Sequence, residues 1–195
     1  QVPPADIFLD SPLAIEATEI FQRRGWNHAT GSNPFAHLIN TGRLKFLREP
    51  GESDRLESLS GWHIVMAASG MCDAGRVRKH LKRLLWKRQA TILLSGYQAA
   101  GTLGRILQEG AQRVSIQGED IQVHARIRAL DVYSGHADAP RLVAWAKQRA
   151  PIASGIFLAH GEPAALEGLR ARLSAAGLAS DRIRIPSMDA SFTLT

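Results

Sequence analysis

"WHIVMAASGMCDAGRVRKHLKRLLWKRQATILLS", residues 62–95, decides the fold. Its two ends, 62–68 and 91–95, are short apolar runs that read as buried strands. Between them, "SGMCDAG" turns the chain into a basic segment with helical spacing, 75–88. Strand, turn, helix and strand in that order describe a crossover between parallel strands. Outward from it the same alternation continues. "DIFL" (6–9) is a strand, and "SPLAIEATEIFQRR" a helix with Ser11 as N-cap and Pro12 at its first position. Residues 25–61 are irregular, with room for two short helices. A helix is expected near 102–109, and "RVSIQ" and "IQVHARIRAL" alternate like a hairpin around "GED". A helix at 138–149, a strand at 155–159, a helix at 163–176 and a strand at 182–186 complete the chain. The fold class is α/β, a mostly parallel sheet with helices on both faces. Ligands of such sheets bind beyond the carboxyl ends of the strands.

The 195 residues are enough for one large domain or one and a half small ones. No apolar run is long enough to span a membrane, and "QVPPADIFLD" does not read as a signal peptide. The chain opens on Gln, as an excerpt of something longer would. Cys72, the only cysteine, excludes an internal disulfide framework and fits a reducing cytoplasm.

The net charge is +6, and residues 76–88 hold seven Lys or Arg, one His and no acid. On a helical wheel Val77, Leu81, Leu84 and Leu85 form an apolar stripe, while Arg76, His80, Arg83 and Lys87 share another face. Such a face is either solvated or a phosphate track. Gly70 and Gly75 before the helix, and Gly101, Thr102, Gly104 and Arg105 in "GTLGR", favour the track. They let backbone approach a ligand and aim helix N-termini at it. Neither loop is a Walker A or a dinucleotide fingerprint.

His136 in "VYSGHAD" (132–138) and His160 in "FLAHGEP" (157–163) are each expected at a strand end, where histidine serves as metal ligand or proton donor. Asp138 and Glu162 read as helix caps beside them. Two histidines do not make a zinc site, which takes about three protein ligands.

"LDSPLAIEAT", "IVMAASGMCDAGRVRKHLKRLL", "TILLSGYQAAGTLGRIL", "YSGHADAPRLVAWA" and "FLAHGEP" occur in the order seen in β-CASP ribonucleases, and the chain resembles that family over nearly its whole length. The resemblance implies a β-CASP domain over 1–131, Rossmann-like, and a returning C-terminal segment of a metallo-β-lactamase αββα fold over 132–195. His136 then matches the family's motif B histidine, a general acid near the scissile phosphate. His160 matches the motif C histidine, a zinc ligand that marks RNA as substrate. The family's H-x-H-x-D-H cluster is absent and is expected upstream of Gln1, together with its motif A acid. In the complete enzyme two zinc ions would activate a bridging water.

The expected function is the clamp of a zinc-dependent ribonuclease acting on single-stranded RNA. Ser69, Gly70, Arg76, Lys79, His80, Lys82, Thr102 and Arg105 are the candidates to meet phosphates, and Asp138 and Glu162 support the histidines. Its partners would be single-stranded RNA, the N-terminal lactamase portion and further copies of itself through uncovered apolar surface. The chain alone is expected to be inactive and to hold zinc weakly or not at all. The alternatives are a non-catalytic RNA-binding module derived from the family, and an unrelated nucleotide-binding α/β protein that would bind mononucleotides regardless of RNA length.

Overall fold

A computed structural model describes residues 4–23, 36–130 and 135–194. The chain divides into two compact units, Gln1–Tyr133 and Ser134–Thr195. The fold is mixed α/β with mostly parallel sheets.

In the first unit, β1 (Asp6–Asp10) lies at the centre of a parallel sheet, between β2 (Leu44–Phe46) and β3 (His63–Ala67). Helix α1 (Pro12–Arg23) follows β1, with the Ser11 hydroxyl accepting from the Ala14 N–H, in keeping with its Ser-Pro start. Helices α2 (Ala36–Asn40) and α3 (Pro50–Arg55) flank β2. The strand β2 is not expected from the sequence. It has three residues in a stretch rich in turn formers, and it is held by backbone pairing to Ile7, Phe8 and Leu9.

Helix α4 (Val77–Leu84) joins β3 to β4 (Thr91–Leu94). β4 does not bond to β3 but to β7 (Arg126–Ala129), so the single expected sheet is divided. Helix α5 (Leu103–Gln108) follows β4. The expected hairpin exists, as β5 (Arg113–Ile116) and β6 (Glu119–Gln122). Its turn is Gln117-Gly118 rather than the expected Gly-Glu-Asp. Both turn residues have positive φ, as the strand twist of a two-residue hairpin loop requires. The run 121–130 does not continue as one strand. It leaves the hairpin after Gln122 and re-enters as β7 beside β4.

Leu81 and Leu85 bury against Leu94, Leu107, Val114, Ile116, Ile121 and Val123, with Val77, Ile92 and Ile127 at the margin. The expected full burial of both apolar strands does not hold. Leu93 is 54% exposed in the middle of β4, because only the face carrying Ile92 and Leu94 meets the core. Met66 in β3 is exposed too.

In the second unit, β8 (Ile156–Phe157) pairs parallel with β9 (Ile183–Arg184). Helices α6 (Ala139–Lys147) and α7 (Pro163–Ala175) pack together, and Ala146, Leu158, Leu173 and Ile183 form a small core. Leu142, Trp145, Met188, Phe192 and Leu194 remain exposed.

Candidate nucleic-acid interface and strand-end histidines

The basic helix is the first element to separate from expectation. Asp10, at the carboxyl end of β1, is fully buried. It accepts from the Ser53 hydroxyl at 2.6 Å, from Arg76 Nη1 at 2.6 Å and from His80 Nε2 at 2.6 Å. Burial pushes its carboxyl upward, but the three hydrogen bonds from Ser53, Arg76 and His80 outweigh it and hold the pKa below the ordinary value. Arg76 also donates to the Leu47 and Arg48 carbonyls. The face carrying Arg76, His80 and Arg83 therefore turns toward acids of the β1 side of the unit. His80 is buried and Arg76 is held by three acceptors, so neither is an open phosphate ligand.

The other cations of α4 are exposed to differing degrees and also paired. Lys79 and Arg83 both reach Asp54, Arg83 also reaches Glu57, and Lys82 reaches Glu119. The Asp54 carboxyl is held below its usual range by the Lys79 and then the Arg83 hydrogen bond. These are surface pairs, worth little each and open to exchange for phosphate.

The two glycine-containing loops are stitched into one body. Gln98, almost fully buried, donates through Nε2 to the Gly70 and Gly96 carbonyls. Asp73 Oδ1 accepts from the Leu103 N–H at 2.9 Å, and the Gly104 N–H meets the Met71 carbonyl at 3.0 Å. The first-turn N–H groups of α4 are likewise satisfied: Val77 by Ala68, Arg78 by Gly75 and Lys79 by Arg76. At α5 the Thr102 hydroxyl caps the Arg105 N–H. Both helix N-termini are thus closed by protein acceptors, and the expected anion cradle is not formed there.

Ser69 spends its N–H on the Ala74 carbonyl and its hydroxyl on the Ala74 N–H, and the Thr102 N–H goes to Ala99. Gly70 is exposed, and a Cβ there would meet nothing within 4 Å. Gly75 has a structural reason instead. Its φ is +73°, and a Cβ would lie 2.3 Å from the Ala68 carbonyl oxygen. Arg105, partly exposed, bonds to Glu109 and to the Gln98 carbonyl. Of the sequence candidates, Lys79, Lys82, Arg105 and Gly70 remain at the surface of this unit. Gln98 and Asp73, which lock the loops, are not among those candidates. Their only signal in the sequence is position inside the two loops.

In the second unit His160 stands three residues beyond β8, exposed, with φ +61°. A left-handed backbone is uncommon for a non-glycine residue and marks a position worth functional scrutiny. Gly161 follows, where a Cβ would crowd Leu166 at 2.9 Å. Glu162 occupies the N-cap position of α7, but its side chain makes no capping bond, contrary to expectation. Asp138 does cap α6, accepting from the Arg141 N–H at 2.9 Å. His136 is exposed just before that cap. The run "VYS" before Gly135, expected to end a strand, lies outside the described residues.

Zinc takes about three protein ligands in a catalytic centre. Among the described residues no group of three or more His, Cys, Asp or Glu is placed to hold a metal. The described residues do not fit a zinc ion by themselves. No helix among them is long and apolar enough to cross a membrane.

Comparison with known proteins places this geometry in context. The Beta-Casp domain family matches residues 1–107, and the Zn-dependent metallo-hydrolase RNA specificity domain matches residues 120–186. Ribonuclease TTHA0252 of Thermus thermophilus is 30% identical over 185 residues, covering 91% of this chain and 41% of that protein. Transcription termination factor FttA of Thermococcus kodakarensis is 36% identical over 137 residues, 68% of this chain and 20% of the factor. FttA of Methanosarcina mazei is 29% identical over 187 residues, 83% and 27% respectively. The chain therefore spans about a fifth to two fifths of the length of these relatives. With both family matches in chain order, the chain belongs to the β-CASP family of metallo-β-lactamase-fold RNA nucleases.

Proposed function

We propose that this chain is the substrate-clamping part of a zinc-dependent ribonuclease that hydrolyses phosphodiester bonds in single-stranded RNA. The observation that carries the proposal is His160. It is exposed beyond the end of β8 and held at φ +61°, so the backbone presents the imidazole just before α7. In this reading His160 gives one ligand to a zinc centre whose other ligands come from a metallo-β-lactamase portion outside this chain. His136 is the proton donor to the leaving 3′ oxygen. Asp138 fixes the start of α6 beside it.

Residues 1–131 are the β-CASP clamp, and 132–195 complete the lactamase fold. Lys79, Lys82 and Arg105 exchange their surface carboxylates for RNA phosphates, and the exposed backbone at Gly70 lies along the strand's path. Arg76, His80, Ser69 and Thr102 act one step back, by holding the loops and α4 in place. The single cysteine suits work in a reducing cytoplasm.

The test is cleavage of end-labelled single-stranded RNA by the full reading frame. His136→Ala is expected to lower the rate by at least about 100-fold, the lower range for a lost acid–base group, and His160→Ala to lower it through loss of a zinc ligand. His160→Ala should also lower the zinc content, and His136→Ala should leave it unchanged. Wild-type-like cleavage by either variant would refute its assigned role.

A further inference from the structure

Along the C-terminal half of α4, on the flank toward the amino end of β3, runs a groove of about 370 Å³. It lies away from the carboxyl-end loops, because α4 runs antiparallel to the strands it connects. Leu56, Val65 and Leu84 give it an apolar floor. Lys82, Arg83 and Lys87 line its wall, against a single carboxylate, Glu57. Trp86 stands at its end with 55% of its surface exposed, and Lys87 Nζ lies 5.4 Å from the indole centroid.

Cations at the C-terminal end of a helix are explained by its dipole. The exposed indole beside them adds a flat apolar face on which a base can stack. Arg83 is held by Asp54 and Glu57, which leaves Lys87 and the exchangeable Lys82 to meet an anion.

We infer that this groove is a second contact for single-stranded RNA and takes one nucleotide. The base stacks on Trp86 over the apolar floor, and Lys87 and Lys82 meet the flanking phosphates. An exposed aromatic ring beside cations is how proteins hold single strands without reading sequence. The volume falls in the range of small-molecule sites, which suits one nucleotide and not a folded partner. The inference rests on the RNA reading above and extends it from Lys82, which the clamp also uses, to Trp86 and Lys87.

The test is fluorescence anisotropy of a labelled 12-nucleotide oligoadenylate with the chain and three variants, each checked by its melting curve. Trp86→Ala is expected to weaken binding about tenfold, Trp86→Phe to restore most of it, and Lys87→Glu to weaken it and lessen its salt dependence. If wild type binds and Trp86→Ala and Lys87→Glu both bind within twofold of it, the groove is not an RNA site, while the clamp reading stands. If wild type does not bind the oligonucleotide, the clamp reading fails and the inference with it.

Discussion

Removing the Asp10 carboxylate should unlatch the first unit. Asp10 is fully buried and joins β1 to Ser53 of α3, to Arg76 at the start of α4 and to His80 within α4. Asp10→Ala leaves a mostly buried guanidinium with only its two carbonyl acceptors, and a buried imidazole without its carboxylate. Breaking a buried ion pair from one side costs about 3–5 kcal/mol. For a chain of this size each kcal/mol lowers the melting temperature by about 2–4 °C, so the expected drop is about 6–20 °C. Asp10→Asn keeps the volume and one acceptor oxygen, and should cost about 2–3 kcal/mol through the weakened charged hydrogen bonds.

The pH dependence carries a sign. The folded pKa of Asp10 is depressed, so its contribution is complete above the unfolded carboxylate value of about 3.9. It is lost as pH falls through the lower folded value. The gap between wild type and Asp10→Ala should shrink as pH falls below about pH 4. Thermal melts by circular dichroism, repeated across pH, decide it. A variant that melts within about 2 °C of wild type, roughly 1 kcal/mol or less, would refute the latch. So would a gap that widens as pH falls below about 4.

Further consequences are open to direct measurement. Gly75→Ala should lower the urea midpoint by the equivalent of about 2 kcal/mol or more, while Gly70→Ala should stay within about 0.5, because only the first meets a carbonyl at positive φ. His160→Gly should fold as well as wild type and His160→Val should lose about 1–2 kcal/mol, since a β-branched residue resists the left-handed backbone; equal stabilities would contradict that geometry. Cys72 is buried, and its thiol is pushed up to about 11 by burial and then by Asp73. It should react with a thiol reagent at about pH 8 far more slowly in the folded chain than in urea, and equal rates would contradict its placement. The exposed apolar residues of the second unit should drive association at high concentration, visible by sedimentation; a strict monomer would count against it.

The alternation of apolar runs and helical spacing in 62–95 is enough to read a parallel α/β fold, because period and turn residues are local properties. The short strand β2 is not readable, since its pairing partners lie 37 residues away and its side chains carry no pattern. The helical wheel groups Arg76, His80 and Arg83 correctly. What it cannot contain is the acids those residues meet, which come from positions 10, 54 and 57. A polar face therefore reads as a solvent face. The closing of both helix N-termini is hidden for the same reason: it depends on carbonyls and on Asp73 in a neighbouring loop. His136 and His160 stand out because small residues and caps surround them. The positive φ of His160 is set by the turn into α7 and has no signature in composition.

The most direct measurement of the clamp role is binding and cleavage of one end-labelled single-stranded RNA by this chain, with Zn²⁺ or Mn²⁺ present, across a salt series. The expected result is binding that weakens steeply as salt rises, with no cleavage. Absence of RNA binding would contradict the clamp. Metal-dependent cleavage that disappears in His160→Ala would contradict the dependence on outside ligands, because the chain would then assemble a complete metal centre on its own.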